Sequence, residues 1–211
     1  MDYKKQSYEN LIDGLIEKFN MRGIDCFYCS DSQAALDTAK HMLTPGCSVS
    51  SGGSVTLSEI GLTDMLKNSD FVYYDRSDAK SAEEKTEMYG HIATCDYFFM
   101  SSNAITMDGQ LVNIDGFGNR VACLIAGPKN VIVIAGVNKI VRDVDEALSR
   151  VRNFAAPPNC IRLNKDTPCA KFGRCADCLV DDCICAQIVI TRKSMIPGRI
   201  KVILVGEPLG Y

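Results

Sequence analysis

Five of the eleven cysteines in this chain, Cys169, Cys175, Cys178, Cys183 and Cys185, fall in one short run, PCAKFGRCADCLVDDCIC. Scattered cysteines act as small apolar core residues, but a cluster this dense is reduced and inert, disulfide-linked or metal-bound. Cys175 and Cys178 have the two-residue spacing at which a tight turn directs two thiolates at one ion. Cys169 and Cys185 complete four sulfurs, with Cys183 as a spare or competing ligand. Zinc and an iron–sulfur cluster both suit such a set, although the outer spacings match no strict signature. A reduced loop or adventitious disulfides remain the alternatives.

Three further segments carry polar side chains where ligands bind. In Ser50-Ser-Gly-Gly-Ser-Val-Thr-Leu57 two glycines stand between a strand end and a helix start. Backbone can approach a ligand closely there, and the first N–H groups of a helix favour a phosphate or carboxylate. Ser51, Gly52, Gly53 and Ser54 are the candidates, against the plainer reading of a tight turn capped by Ser54. The segment is neither a dinucleotide fingerprint nor a P-loop, because no third glycine and no lysine follow at the required offsets. The stretch from Ser101 to Arg120 holds Asn103, Asp108, Asn113, Asp115 and Asn119 among apolar residues. Asp108-Gly109 is explained as a turn. A two-residue period puts Asn113 and Asp115 on one strand face, and Arg120 could meet a carboxylate there. The plainer reading has these residues capping strands and helices. In Ala135-Gly-Val-Asn-Lys139 a strand ends in a glycine turn at Gly136, and Asn138 and Lys139 could serve an anionic ligand or stand on the surface.

The two histidines offer no base for a serine triad. His41 and His91 each stand where a helix is expected to end, a place that suits their positive form. There is no His-Glu-x-x-His motif, and Glu83-Glu84 and Asp181-Asp182 read as a solvated helix face and part of the cysteine loop.

The elements that must position these residues alternate in type. An apolar stripe of Tyr8, Leu11, Ile12, Leu15, Ile16 and Phe19 marks a helix over 3–21. Strands are expected at 24–29, 47–50, 71–74, 96–102, 131–135 and 199–205, with a hairpin of 105–106 and 111–114 about Asp108-Gly109. Helices are expected from Asp31 to His41, from the glycine loop to Lys67, and over 78–91, 117–126 and 143–153. This alternation argues for a mainly parallel sheet covered by helices on both faces, an α/β fold. At Ala155-Ala-Pro-Pro158 the periodicity stops, and residues 155–195 read as a cysteine-rich insertion before a final strand of a single domain spanning 1–211.

With 211 residues, 46% hydrophobic and 23% charged, the chain can bury a substantial core. Its net charge is −3 with no basic block, which argues against a nucleic-acid partner. The longest apolar run, Val131–Ala135, is of strand length and far short of a membrane span. No apolar region follows Lys4 and Lys5, so no secretory leader is expected. The expected setting is cytoplasmic and reducing, which disfavours structural disulfides.

The glycine loop, the segment Asn103-Ala-Ile-Thr-x-Asp-Gly-x-Leu-Val-Asn113-x-Asp-Gly-x-Gly-Asn-Arg120 and the Ala-Gly-x-Asn-Lys139 turn together resemble the lactate-utilisation (LUD) domain family over about residues 5–155. The resemblance extends to the Cys-x5-Cys-x2-Cys-x6-Cys pattern of Cys169, Cys175, Cys178 and Cys185. It implies the sheet architecture of the sugar-phosphate isomerase and CoA-transferase-like superfamily. Asn103–Asn119 is also similar to the Gly-Ala-Asp…Asn-Gly…Asn-Lys…Gly signature of its ribose-1-phosphate isomerase-like and initiation-factor 2B-like members. Ile105 stands where that signature has an acid, so isomerase activity is not implied. The family implies a subunit of an iron–sulfur lactate-oxidation system. Because the chain lacks a double Cys-x2-Cys-x2-Cys-x3-Cys array, it resembles the small subunit or a free-standing relative. The expected function is binding of a small anionic metabolite in organic-acid utilisation, with an iron–sulfur protein and a second copy of the chain as candidate partners. The alternatives are an isomerase- or acyl-CoA-transferase-like enzyme using the same pocket, and a pure interaction subunit.

Overall fold

The computed structural model describes residues 3–211, the side chains of Lys4 and Lys5 excepted. In chain order the strands are β1 (Asp25–Cys29), β2 (Ser48–Ser51), β3 (Val72–Tyr74), β4 (Tyr97–Met100), β5 (Ala104–Thr106), β6 (Leu111–Asp115), β7 (Asn130–Gly136), β8 (Ile140–Val141), β9 (Gln187–Thr191) and β10 (Ile200–Val205). The helices are α1 (Tyr3–Met21), α2 (Ser32–His41), α3 (Val55–Glu59), α4 (Leu62–Lys67), α5 (Ala82–Thr94), α6 (Asn119–Ile125), α7 (Val144–Arg150), α8 (Ala156–Arg162) and α9 (Pro168–Phe172).

Six strands form one sheet in the order β1-β10-β7-β4-β2-β3, and every pairing is parallel. Its central strand β7 is buried on both faces, hence the unbroken run Val-Ile-Val-Ile-Ala in place of an alternating pattern. Val131, Val133 and Ala135 pack with Ile12, Leu15 and Phe19 of α1, Ile92 of α5 and Leu124 of α6. Ile132 and Ile134 face the other way, onto Ala35 and Ala39 of α2, Leu57 of α3 and Leu62 and Leu66 of α4. Each fully buried Val or Ile contributes about 1.5–3 kcal/mol, so this strand anchors both layers. The expected α/β architecture is present.

A second, four-stranded sheet in the order β8-β5-β6-β9 lies beyond it. The expected hairpin is its β5–β6 pair, with Gly109 at φ +77 in the turn. β9 pairs antiparallel with β6 from Asp115↔Gln187 to Leu111↔Thr191.

Local chemistry sets the ends. Asp31 accepts from Ala34 N and starts α2. Ser81 and Glu84 form a reciprocal capping box that starts α5 later than the charged stretch from 78 suggests. The single helix expected up to Lys67 is two short ones, because Gly61 takes a left-handed conformation between them. The break expected at Ala155–Pro158 is likewise absent. Helix continues from α7 through a π turn at Val151–Ala155 into α8, where the prolines occupy the first positions. Proline lacks an N–H and clashes with the preceding turn, and the widened π turn accommodates both defects. Among the described residues no helix is long and apolar enough to cross a membrane.

Candidate functional site

Parallel strands deliver their following loops to one edge, and here that edge holds a cavity of about 580 Å³. Gly53–Thr56 reach it after β2, Arg76 after β3, Ser101–Asn103 after β4, Lys139 after β7, and Gly210 and Tyr211 after β10. Ile114–Phe117 enter from the end of β6, Asn119 and Arg120 from α6, and Asn159, Arg162 and Lys165 from α8 and the turn after it. Asp181, Asp182, Cys183 and Ile184 of the cysteine segment close one side.

The sequence candidates gather here, but several of them bind one another. Arg120 Nε donates to Asp115 Oδ2 at 3.1 Å. Its Nη1 donates to Ser101 O and Asn113 Oδ1, and its Nη2 to Asn103 Oδ1 and Ile114 O. Five contacts engage the whole donor fork. Arg120 is therefore the hub that joins the end of β4 to β6, with its methylenes lying over Gly52. Asn113 and Asp115 do share a strand face, as the two-residue period requires. That strand is β6 of the smaller sheet, however, and Asn113 is fully buried beneath the cavity. Because Arg120 and Asn103 N both donate to its Oδ1, its Nδ2 is left without an acceptor among the described residues.

Ser51, Gly52, Gly136 and Asn138 stand aside from the cavity. Ser51 Oγ pairs with Tyr73 Oη at 2.7 Å between β2 and β3. Asn138 is turned to the chain end, donating to Leu209 O and accepting from Leu209 N. Gly136 explains that contact: a side chain at 136 would strike Glu207 O and Leu209 N. Arg150 clips the same region together, donating to Asn103 O, Asn138 O and Tyr211 O.

Gly53, Ser54 and Lys139 remain as groups that face a ligand. Ser54 caps α3 by accepting from Leu57 N. The N–H groups of Gly53, Ser54, Val55 and Thr56 find no backbone acceptor among the described residues. Arg76 lies beside Gly53, is exposed and has no hydrogen-bond partner among them. Lys139 is 4% exposed, and its Nζ donates to Thr56 Oγ1 and Ser101 Oγ at 2.9 Å each. Burial lowers its pKa to about 7, and the nearby charges of Arg150 and Arg120 add to the effect. Sequence reasoning missed Arg76, Thr56, Ser101 and Arg162. Ser101 and Thr56 could have been found as hydroxyls just past strand ends, whereas nothing local marks Arg76.

In the cysteine segment, among the described residues, no three Cys, His, Asp or Glu side chains are gathered closely enough to hold a metal ion. One close pair is not suggested by the spacing: Cys160 of α8 lies 3.6 Å from Cys169, sulfur to sulfur. Cys175 Sγ instead accepts from Asp177 N, and Cys183 Sγ from Cys185 N. Burial, with a smaller contribution from neighbouring cysteines, pushes the Cys185 thiol up to about 12 and Cys160 up to about 11. The segment is held to the cavity wall by Asp182, which accepts from Lys165 Nζ at 2.9 Å and Asp166 N at 2.8 Å.

A parallel sheet with a cavity at its carboxyl edge, bordered on one side by the cysteine segment, defines the molecule as an α/β domain. The chain belongs to the LUD domain family, whose profile matches residues 12–205. Among solved structures it is similar to a DUF162 family protein from Deinococcus radiodurans, at 14% identity and a TM-score of 0.54 over 94% of this chain and 98% of that one. It is also similar over part of its length to ribose 5-phosphate isomerase from Plasmodium falciparum, at 12% identity and a TM-score of 0.33 over 53% of this chain and 52% of that one. A third partial similarity is to eIF2B delta from Chaetomium thermophilum, at 17% identity and a TM-score of 0.35 over 70% and 58%. No curated protein matches the chain in sequence.

Proposed function

We propose that the cavity binds a small organic-acid anion and that the protein serves lactate or related organic-acid utilisation in the cytoplasm. One observation carries this reading. Even with Lys139 left out, Arg76, Arg120, Arg162 and Lys165 face only Asp115, Asp181 and Asp182 around the cavity, in a chain whose net charge is −3. Asp115 is bound to Arg120 and Asp182 to Lys165, so Arg76 and the free N–H groups of 53–56 are left for a carboxylate. The volume is that of a small-molecule site. Family membership supports the choice of an organic acid.

The acyl-CoA-transferase alternative needs a glutamate nucleophile, and none lines the cavity among the described residues. Glu59 accepts instead from Gly210 N. A zinc ion or an iron–sulfur cluster on Cys169, Cys175, Cys178 and Cys185 remains the cofactor half of the proposal. Among the described residues the thiols do not form a closed site as they stand, so loading requires them to draw together, and no pocket chemistry is routed through the metal. An iron–sulfur protein partner and self-association belong to the same proposal, to be read by pull-down and light scattering. Metal analysis with an absorption spectrum on anaerobically purified protein decides the cofactor: bound zinc or a brown chromophore supports it, and metal-free protein removes it.

The pocket reading is tested with Gly53→Val. Gly53 is not left-handed, and an added side chain there meets only the flexible end of Arg76. The variant is expected to keep the wild-type melting temperature and to lose the thermal stabilisation given by lactate, pyruvate or inorganic phosphate. Undiminished stabilisation would make the glycine loop a turn and nothing more.

A further inference from the structure

Lys139 is an uncommon lysine. It is buried, it lines the cavity, and among the described residues no carboxylate lies within ion-pair distance of it. Its neighbours are the hydroxyls of Thr56 and Ser101, each 2.9 Å from Nζ, and any side chain at Gly210 would crowd it. The Ser101 hydroxyl hydrogen has its own acceptor in Ser102 O, which leaves the oxygen to accept from the lysine. Two hydroxyl acceptors match the two N–H bonds of a neutral amine and leave its lone pair free. An ammonium in the same place would carry a third N–H without an acceptor, beside the cations of Arg120 and Arg150. Desolvation and a neighbouring positive charge are the two devices that make a lysine nucleophilic, and both are present.

We propose that Lys139 is a nucleophile that captures a small 2-oxo acid in the cavity as an imine. This rests on the organic-acid reading of the cavity and adds the substrate class, a carboxylate with an adjacent carbonyl. The carboxylate is held by Arg76 and the N–H groups of 53–56 while the carbonyl carbon meets Nζ. The amine lone pair forms the C–N bond and the carbonyl π pair moves to oxygen. A proton passes from nitrogen to that oxygen, with the Ser101 and Thr56 hydroxyls placed to relay it. The carbinolamine then loses its oxygen as water, giving C=N in place of C=O. No oxidant or reductant takes part. The groups facing Nζ are Thr56, Ser101, Arg120, Arg150 and, with the opposite sign, Glu59.

The test uses the full chain with pyruvate as probe and sodium cyanoborohydride as trap, followed by peptide mass mapping. The expected result is one reduced pyruvyl adduct on the peptide carrying Lys139. It should be absent in Lys139→Arg and form faster at pH 8 than at pH 6. Calorimetry of pyruvate and of lactate, which has no carbonyl to trap, runs in parallel. Binding of both acids without a trapped adduct overturns the imine and leaves the pocket reading standing. Absence of binding and trapping overturns both. Adducts spread over exposed lysines such as Lys129 and Lys171 also overturn the proposal, and this reading needs no variant to fold.

Discussion

At the residue scale, Arg120 ties Asn103, Asn113 and Asp115 into one buried network. Asn103, Asn113, Asp115 and Arg120 were recognisable as a constellation because polar residues recur between apolar strands. Their contacts are not legible in sequence, because a guanidinium can satisfy neighbouring segments of the chain as readily as a ligand, and only geometry separates the two. Arg120 is thus a structural hub, and Arg76, which no motif marks, is the arginine left free. Lys139 makes the strongest residue-level prediction. Its folded pKa is near 7 and its unfolded value about 10.5, so between those limits the unfolded chain binds more protons. Stability from this group therefore rises with pH across that window, and below pH 7 the full cost of burying the charge is felt. Chemical denaturation at pH 7, 8 and 9 should show wild type gaining on Lys139→Met by about 1 kcal/mol per pH unit. Parallel pH profiles would mean that the lysine is buried charged.

At the element scale, periodicity and caps were informative wherever an element is amphipathic or capped by its own side chains. The α1 stripe, the Asp31 cap and the β7 run all appear as read. The misreadings share a cause, since tertiary contacts overrode local punctuation. Pro157 and Pro158 start a turn of helix because a π turn precedes them. β9 escaped notice because Ile188 and Ile190 are half exposed on an edge, with no alternating pattern to reveal them. The segment after β10 brings Gly210 and Tyr211 into the cavity wall and is seated on Gly136. Gly136→Val should cost about 1–3 kcal/mol by overpacking and weaken anion binding in the same variant. Urea denaturation and calorimetry read the two effects, and a stable variant with unaltered binding would show that the chain end does not shape the site.

At the scale of the whole molecule the α/β class followed from the alternation of elements, and the sheet edge followed from the parallel pairing. The cysteine run announced itself by composition, but its relation to the cavity could not be read from spacing. Asp182, which in sequence reads only as part of the cysteine loop, holds the run against the cavity wall through Lys165 and Asp166. Placement of Cys183 and Ile184 in that wall makes the run part of the site's enclosure. On the proposed function, this enclosure holds a small carboxylate on Arg76 and the glycine loop. Calorimetric titration of pyruvate into wild type and Arg76→Ala tests it most directly. A charge-assisted hydrogen bond is worth about 1.5–3 kcal/mol, so the account predicts saturable binding to wild type and at least about tenfold weaker binding to the variant. Equal affinity in the two proteins, or no binding to wild type, would contradict it.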